Sequence, residues 1–434
     1  MAGLLKPVTA LLLSTAILLM GNGLAVVLLP IRAVGDQFTR IDIGILGSSY
    51  FAGLMIGCFL CPAIIKRVGH VRAFTAFTAI VTITPLLHAI SAQPPVWWGL
   101  RALNGLCFAG LYMVIESWLN AVSDTNTRGR IFASYTMINL TVVTLGMQLM
   151  LLGTPMSFEL FSLAAILYSL AAVPIALTKT TAPAPPARAQ LPLLWLIKIS
   201  PAAISGALLI GLAHSAFWTL SPLYGQAVGL SDAGIATFMT VAVLSGAATQ
   251  WPFGQLSDRI GRRPVASLTA AVGAAASFAL YLMPQVDDSS LLLLIFAALF
   301  GAMTFPTYAL CVAHANDLVK RKRAVVVSGG LLMTFSLGAV LGPLIASALM
   351  AQIGNRALFL HAAVAQAMIV VVLVIRARRR PTLPDQHVEE YVMVARTTPA
   401  AFDLDPRAER PPETDAKHGQ PGVRSGSPEP AAAS

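Results

Sequence analysis

Twelve stretches of mostly apolar residues, each about 20 long, recur along this chain between short polar segments. That length is what a helix needs to cross the hydrocarbon core of a bilayer. Lipid offers no partners to backbone amides, so such segments can be accommodated only as helices that satisfy their own hydrogen bonds. The stretches fall near 8–30, 43–65, 73–92, 96–120, 131–152, 159–178, 198–220, 232–254, 265–284, 290–315, 324–350 and 357–376. The first follows only Lys6, is too long for a secretion signal and has no small-residue cleavage site, so it is expected to stay as the first span. Composition agrees: 56% of residues are hydrophobic and 11% charged, with mean hydropathy +0.74, against roughly 25% charged in soluble domains.

A net charge of +10 would suggest nucleic acid in a soluble protein. Here the cations sit in short loops on alternate sides of apolar runs, which points to a lipid partner and excludes a nucleic-acid one. Twenty Lys and Arg fall on the side of Lys6, and three (Arg32, Arg40 and Arg356) on the other. By the positive-inside rule both termini are expected in the cytoplasm, which also requires an even number of spans. Cys58, Cys61, Cys107 and Cys311 all lie in apolar runs and read as small packing residues. The sequence holds no G-x-x-x-x-G-K-[ST] phosphate loop, no metal-ligand spacing and no nucleophile-base grouping. No enzyme, metal or cofactor is expected.

Residues 179–197, with Pro183, Pro185, Pro186 and Pro192, cannot continue a helix and read as a cytoplasmic linker. Six spans precede it (1–178) and six follow (198–380). The halves echo each other at an offset of 192 to 196 residues: Arg67-Val68-Gly69 with Arg259-Ile260-Gly261, Thr144-Leu145-Gly146 with Ser336-Leu337-Gly338, and Gly105, Tyr112 and Asn120 with Gly301, Tyr308 and Asn316. Beyond Pro381 the composition turns to Pro, Ala and acids, nine against five bases. Residues 381–434 are expected to form a disordered cytoplasmic tail.

One basic segment stands out between the eighth and ninth spans: Gly254-Gln255-Leu256-Ser257-Asp258-Arg259-Ile260-Gly261-Arg262-Arg263. Polar groups this dense cannot sit in hydrocarbon, so the spacing predicts a tight turn at the membrane surface. The segment resembles, at every fixed position, the G-x-L-x-D-R-x-G-R-R signature of the major facilitator superfamily. Arg101 to Gly105 resembles the superfamily's R-x-x-x-G signature in the fourth span. Gly47-Ser48-Ser49-Tyr50-Phe51-Ala52-Gly53, Lys66 to His70, Glu116-Ser117-Trp118-Leu119 and Arg128-Gly129-Arg130 with Tyr135 are similar to the bacterial YcaD-type branch. The resemblance implies an all-α membrane protein with the major-facilitator-type fold, two parallel six-helix bundles that rock about a site near the bilayer midplane. It further implies a monomeric transporter of the bacterial inner membrane.

Departures from the family pattern matter too. The first-half counterpart of the signature runs from Pro62 to Val71, with Lys66 in the place of Asp258 and His70 in the place of Arg262. Gly254, Asp258, Arg259, Gly261, Arg262 and Arg263, with Arg67 and Gly69, are therefore expected to form an asymmetric cytoplasmic gate. The G-x-x-x-G-P of drug/proton antiporters is absent from the fifth span and occurs as Gly338, Gly342 and Pro343 in the eleventh. Packing of closely approaching helices is the favoured reading there.

Two ionisable groups lie clearly within the spans, Arg101 and Glu116, both on the fourth. Fifteen residues of helix separate them by roughly 22 Å, so they cannot pair. Arg101 serves either structure or binding, attracting an anionic group if it faces the cavity. Glu116 is either a lock to Arg67, Arg72, Arg128 or Arg130, or a protonatable coupling site. Expected solute-binding residues on the first, fourth, seventh and tenth spans are Asn22; Asn104 and Tyr112; His214 and Trp218, which share a helix face; and Tyr308 and His314. No acidic cluster or set of arginines converges there, which favours a small neutral or amphipathic solute over a polyvalent ion. Alternating-access transport, with or without protons, is the expected function. A non-transporting receptor or scaffold signalling through the tail, and a multidrug/proton antiporter, remain open alternatives.

Overall fold

The computed structural model describes residues 2–123, 128–177, 183, 193–319, 323–379 and 397–404. The first half comprises α1 (Ala2–Gly35), α2 (Arg40–Val68), α3 (His70–Ile90), α4 (Pro94–Val122), α5 (Arg128–Gln148) and α6 (Glu159–Ala176). A short helix α7 (Leu193–Ile199) follows most of the Pro-rich stretch. The second half comprises α8 (Pro201–Ala227), α9 (Asp232–Ile260), α10 (Arg262–Tyr281), α11 (Leu291–Asn316), α12 (Ala324–Ile353) and α13 (Ala357–Arg379). Among the described residues twelve helices are long and apolar enough to cross a membrane, α7 being the short exception.

Their ends follow local chemistry. Thr39 and Asp42 form a reciprocal capping box at the start of α2, each accepting from an amide that has no partner within the helix. Ser200, Ser231 and Ser290 cap α8, α9 and α11 through their hydroxyls.

The halves pack alike. In the first, α2 lies along α4 and α1 along α5 and α6; in the second, α9 lies along α11 and α8 along α12. Glycines set the spacing at each seam. A Cβ on Gly53 would stand 1.9 Å from the Ala102 carbonyl oxygen, and one on Gly105 2.0 Å from that of Tyr50. In the second half a Cβ on Gly301 would stand 1.8 Å from the Ala242 oxygen. Side-chain atoms cannot occupy such gaps, so only glycine permits these backbones to meet. Gly338 and Gly342 lie the same way against Leu208 and Leu212 of α8, which assigns the G-x-x-x-G-P run to helix packing.

The basic segment is less of a loop than its composition suggests. α9 continues through Ile260 and α10 begins at Arg262, so Gly261 alone makes the turn, at φ 97°. Gly69 does the same between α2 and α3 at φ 86°. This left-handed region is open to glycine and strained for other residues. Six polar residues within ten do not need a ten-residue loop when the helices project beyond the hydrocarbon.

The two bundles meet on the face away from the basic turns. There Arg40 Nε donates to Asn355 Oδ1 at 2.5 Å and Gln148 Nε2 to Thr240 Oγ1 at 2.8 Å. Gly44 of α2 faces Ser347 and the Pro343 carbonyl of α12, and Gly47 faces Thr219 of α8. On the basic face a single 3-10 turn, Pro399–Leu404, lies between the bundles, touching α4 and α5 on one side and α12 on the other. A largely disordered tail was expected; within it Ala400, Ala401 and Phe402 are buried in the crevice.

Candidate functional site

A cavity of about 200 Å³ lies between the bundles. Its walls come from α1 (Asn22), α2 (Tyr50), α4 (Arg101 and Tyr112), α5 (Asn139), α8 (His214 and Trp218), α9 (Gln250) and α12 (Phe335), and Thr397 closes it toward the basic face. Polar side chains are spaced among large apolar ones, as in sites that orient small solutes.

Arg101 is buried, and its guanidinium stands 4.4 Å from the Tyr50 ring centroid. Stacking over the aromatic face attracts the cation but uses none of its N–H donors. Its Nη1 has no hydrogen-bond partner, and among the described residues no carboxylate pairs with it. Asn22 lies on the same wall, its Oδ1 without a hydrogen-bond partner. Across the cavity Trp218 Nε1 donates to His214 Nδ1 at 3.2 Å, and the His214 ring packs edge-on against Phe305 at 4.5 Å. The shared helix face of residues four apart thus becomes a hydrogen-bonded pair.

Three of the expected binding residues lie elsewhere. Asn104 turns toward α3, where its amide donates to Thr84 Oγ1 at 3.0 Å. Tyr308 is fully buried against Phe335, with ring centroids 5.0 Å apart. His314 accepts from Arg263 Nε at 3.3 Å near the basic end of α11. No residue of α11 is among those lining the cavity; Phe335 of α12 and His214, which packs against Phe305, lie on that side. Tyr50, Asn139 and Gln250 take those places on helices not expected to contribute. Tyr50 belongs to the Gly47–Gly53 run already singled out in the sequence; Asn139 and Gln250 carry no signal beyond being polar residues inside apolar spans.

Glu116 is completely buried near the basic end of α4. Tyr135 Oη donates to its Oε1 at 3.0 Å, while Thr397 donates to Oε1 and Thr398 to Oε2. Two of its donors thus come from the tail. Among the lock partners expected for it, Arg67 and Arg72 are exposed and make no ion pair; the side chains of Arg128 and Arg130 lie outside the described residues.

The second-half turn holds a compact ion group. Arg262 is buried and bonds Asp258, Asp317 through Nε at 3.2 Å, and Ser257 Oγ at 2.7 Å. Arg259 extends from the same end of α9, and the closing turn of that helix is fixed by the Gly261 amide on the Ser257 carbonyl. In the first half, His70 packs against the Trp118 ring at 5.8 Å, and its Nε2 has no hydrogen-bond partner.

The Major Facilitator Superfamily model matches residues 11–313 and again residues 203–411. The chain is 26% identical over 390 residues to a protein of Escherichia fergusonii described as an uncharacterized MFS-type transporter, YcaD, with 88% of this chain and 99% of that one covered. It is 25% identical over 388 residues to the YcaD protein of Salmonella typhimurium, with the same coverage. In fold it is similar to the nucleoside transporter NupG, with TM-score 0.71 and 15% identity over 87% of this chain and 99% of NupG. A looser likeness, TM-score 0.52 at 13% identity, links it to the E. coli fucose:proton symporter FucP over 85% and 98% of the two chains. Paired bundles, a cavity between them and a family model spanning almost every helix agree, and the chain belongs to the major facilitator superfamily, as a multi-pass membrane protein similar to the YcaD-type transporters.

Proposed function

We propose that this protein is a secondary transporter of the bacterial inner membrane that works as a monomer. It carries a small amphipathic solute with a single anionic group through the central cavity, by alternating access of the two bundles. The observation that carries this reading is Arg101, a buried guanidinium on the cavity wall with a free Nη1 donor. An uncompensated cation away from water is costly. A carboxylate on the solute would offset that cost and fit the planar fork in two-point contact. Tyr50, Tyr112, Trp218 and Phe335 supply the wall for an aromatic or apolar body. One cation in so small a space argues against a polyvalent ion. Only the fold is shared with NupG and FucP, so no solute carries over from them.

The basic face is the cytoplasmic one in this reading. Bundle contacts on the opposite face then make the arrangement inward-facing, with Glu116 acting at the cytoplasmic gate. Uptake of radiolabelled benzoate into proteoliposomes, with its neutral isostere benzamide as competitor, tests the solute class. Benzoate should accumulate and benzamide should fail to displace it. Arg101→Gln should cut benzoate uptake about tenfold or more, since a hydrogen bond to a charged group contributes about 1.5–3 kcal/mol. Equal competition by benzamide, or an unchanged rate in Arg101→Gln, would remove the anion from the proposal.

A further inference from the structure

We propose that the crevice between the bundles on the basic face is a docking site for the chain's own residues 397–404, which plug the central cavity and must leave before solute can exchange through that side. The inference goes beyond the transport reading and does not depend on the solute class.

The segment fits the crevice in three ways. Thr397 and Thr398 each donate a hydroxyl to a different oxygen of Glu116, so a carboxylate that no water reaches has a donor on each side. Burying a carboxylate without donors is unfavourable, and the tail adds one to each of its oxygens beside that of Tyr135. Pro399 opens the 3-10 turn, where its fixed φ suits a first helical position and its missing N–H leaves nothing unsatisfied. Ala400 and Ala401 are small enough to enter, and Phe402 is 1% exposed, an aromatic anchor of the kind that dominates peptide docking.

The position of the segment also matters. It touches α4 and α5 of one bundle and α12 of the other, and Thr397 itself forms part of the cavity wall. Solute moving toward the basic face would meet it. The bundles rock relative to one another in alternating access, so a segment bridging both also holds them at one separation. The attachment is built to be reversible: one turn of chain, joined to α13 by residues 380–396, which can extend over roughly 55 Å. A competing partner for the acidic tail would draw the plug out.

Two measurements on the full-length protein decide the matter without any transport substrate. A Cβ built on Gly329 of α12 stands 3.9 Å from the Pro399 Cβ and meets nothing nearer, which is disulfide distance. The double variant Gly329→Cys with Pro399→Cys should form that disulfide under mild oxidation, seen by mass spectrometry as a joined peptide; the four native cysteines are all buried. Absence of the joined peptide, with both new cysteines open to maleimide, would overturn the docking. Separately, a water-soluble carbodiimide should label Glu116 at least tenfold faster in Thr397→Val/Thr398→Val and in Phe402→Arg than in the unaltered chain. Equal labelling would show that the segment shields nothing. Where benzoate proves to be carried, the oxidised double variant should be blocked and dithiothreitol should restore it; full-rate uptake by the oxidised form would overturn the plug.

Discussion

The turn between α2 and α3 and the turn between α9 and α10 are the same backbone device with different chemistry attached. Each reverses the chain at one glycine of positive φ, Gly69 and Gly261. Around Gly261, Arg262 gathers Asp258, Ser257 and Asp317 into a buried ion group. Around Gly69, Lys66 is exposed and His70 rests against Trp118. The two halves share the geometry that joins two helices and differ in the charges that hold a third. In the second half the carboxylates at this end are satisfied from within the bundle. In the first half the buried carboxylate is Glu116, and its donors include Tyr135 and the two tail threonines.

Arg262→Ala and His70→Ala should separate the two turns most widely. The first removes the Arg262 guanidinium from Asp317 and should destabilise the second bundle by about 3–5 kcal/mol, the usual cost of breaking a buried pair from one side. The second removes a stacked ring and should cost about 1 kcal/mol. Thermal unfolding in detergent reads both, and similar midpoints would erase the contrast. The glycine seams should show the opposite behaviour, equality. Gly105→Val and Gly301→Val both drive a side chain into a backbone oxygen of the partner helix and should each cost about 1–3 kcal/mol or more. A marked difference between them would mean the halves do not pack alike. The smallest effect is expected at the edge of the ion group. Asp258→Asn keeps the Arg262–Asp317 pair and should cost about 1 kcal/mol, whereas Lys66→Gln should have no measurable effect; an equal loss of benzoate uptake in the two variants would place a working latch at both turns.

The fold was readable because the length of an apolar run and the side on which its cations fall are properties of local sequence. Residue type could not supply helical phase. Asn104, Tyr308 and His314 sit on the expected spans yet face Thr84, Phe335 and Arg263, while Tyr50 and Gln250, on spans not expected to contribute, reach the cavity. Polarity inside an apolar run marks a residue as constrained without saying by which neighbour. The partners of Glu116 were beyond reach for another reason. Thr397 lies 281 residues away in a segment whose Pro-rich, acidic composition reads as solvated. Five buried residues inside such a tail barely move any average, and a short docking motif is legible only once the crevice that receives it is known.

Gly44 and Gly47 press against Ser347 and Thr219 of the other bundle with no side chain of their own between. A contact of that kind has almost no slack: it is made fully or is lost over a fraction of an ångström. In the proposed alternating-access cycle the face away from the basic turns is a switch with two positions, and a free-energy change of about 1.4 kcal/mol at this seam would redistribute the two populations tenfold. In that cycle, how long each face of the membrane sees the cavity is set where two glycines leave room for a methyl and a hydroxyl, at a seam whose Gly47 and Thr219 also belong to the cavity wall.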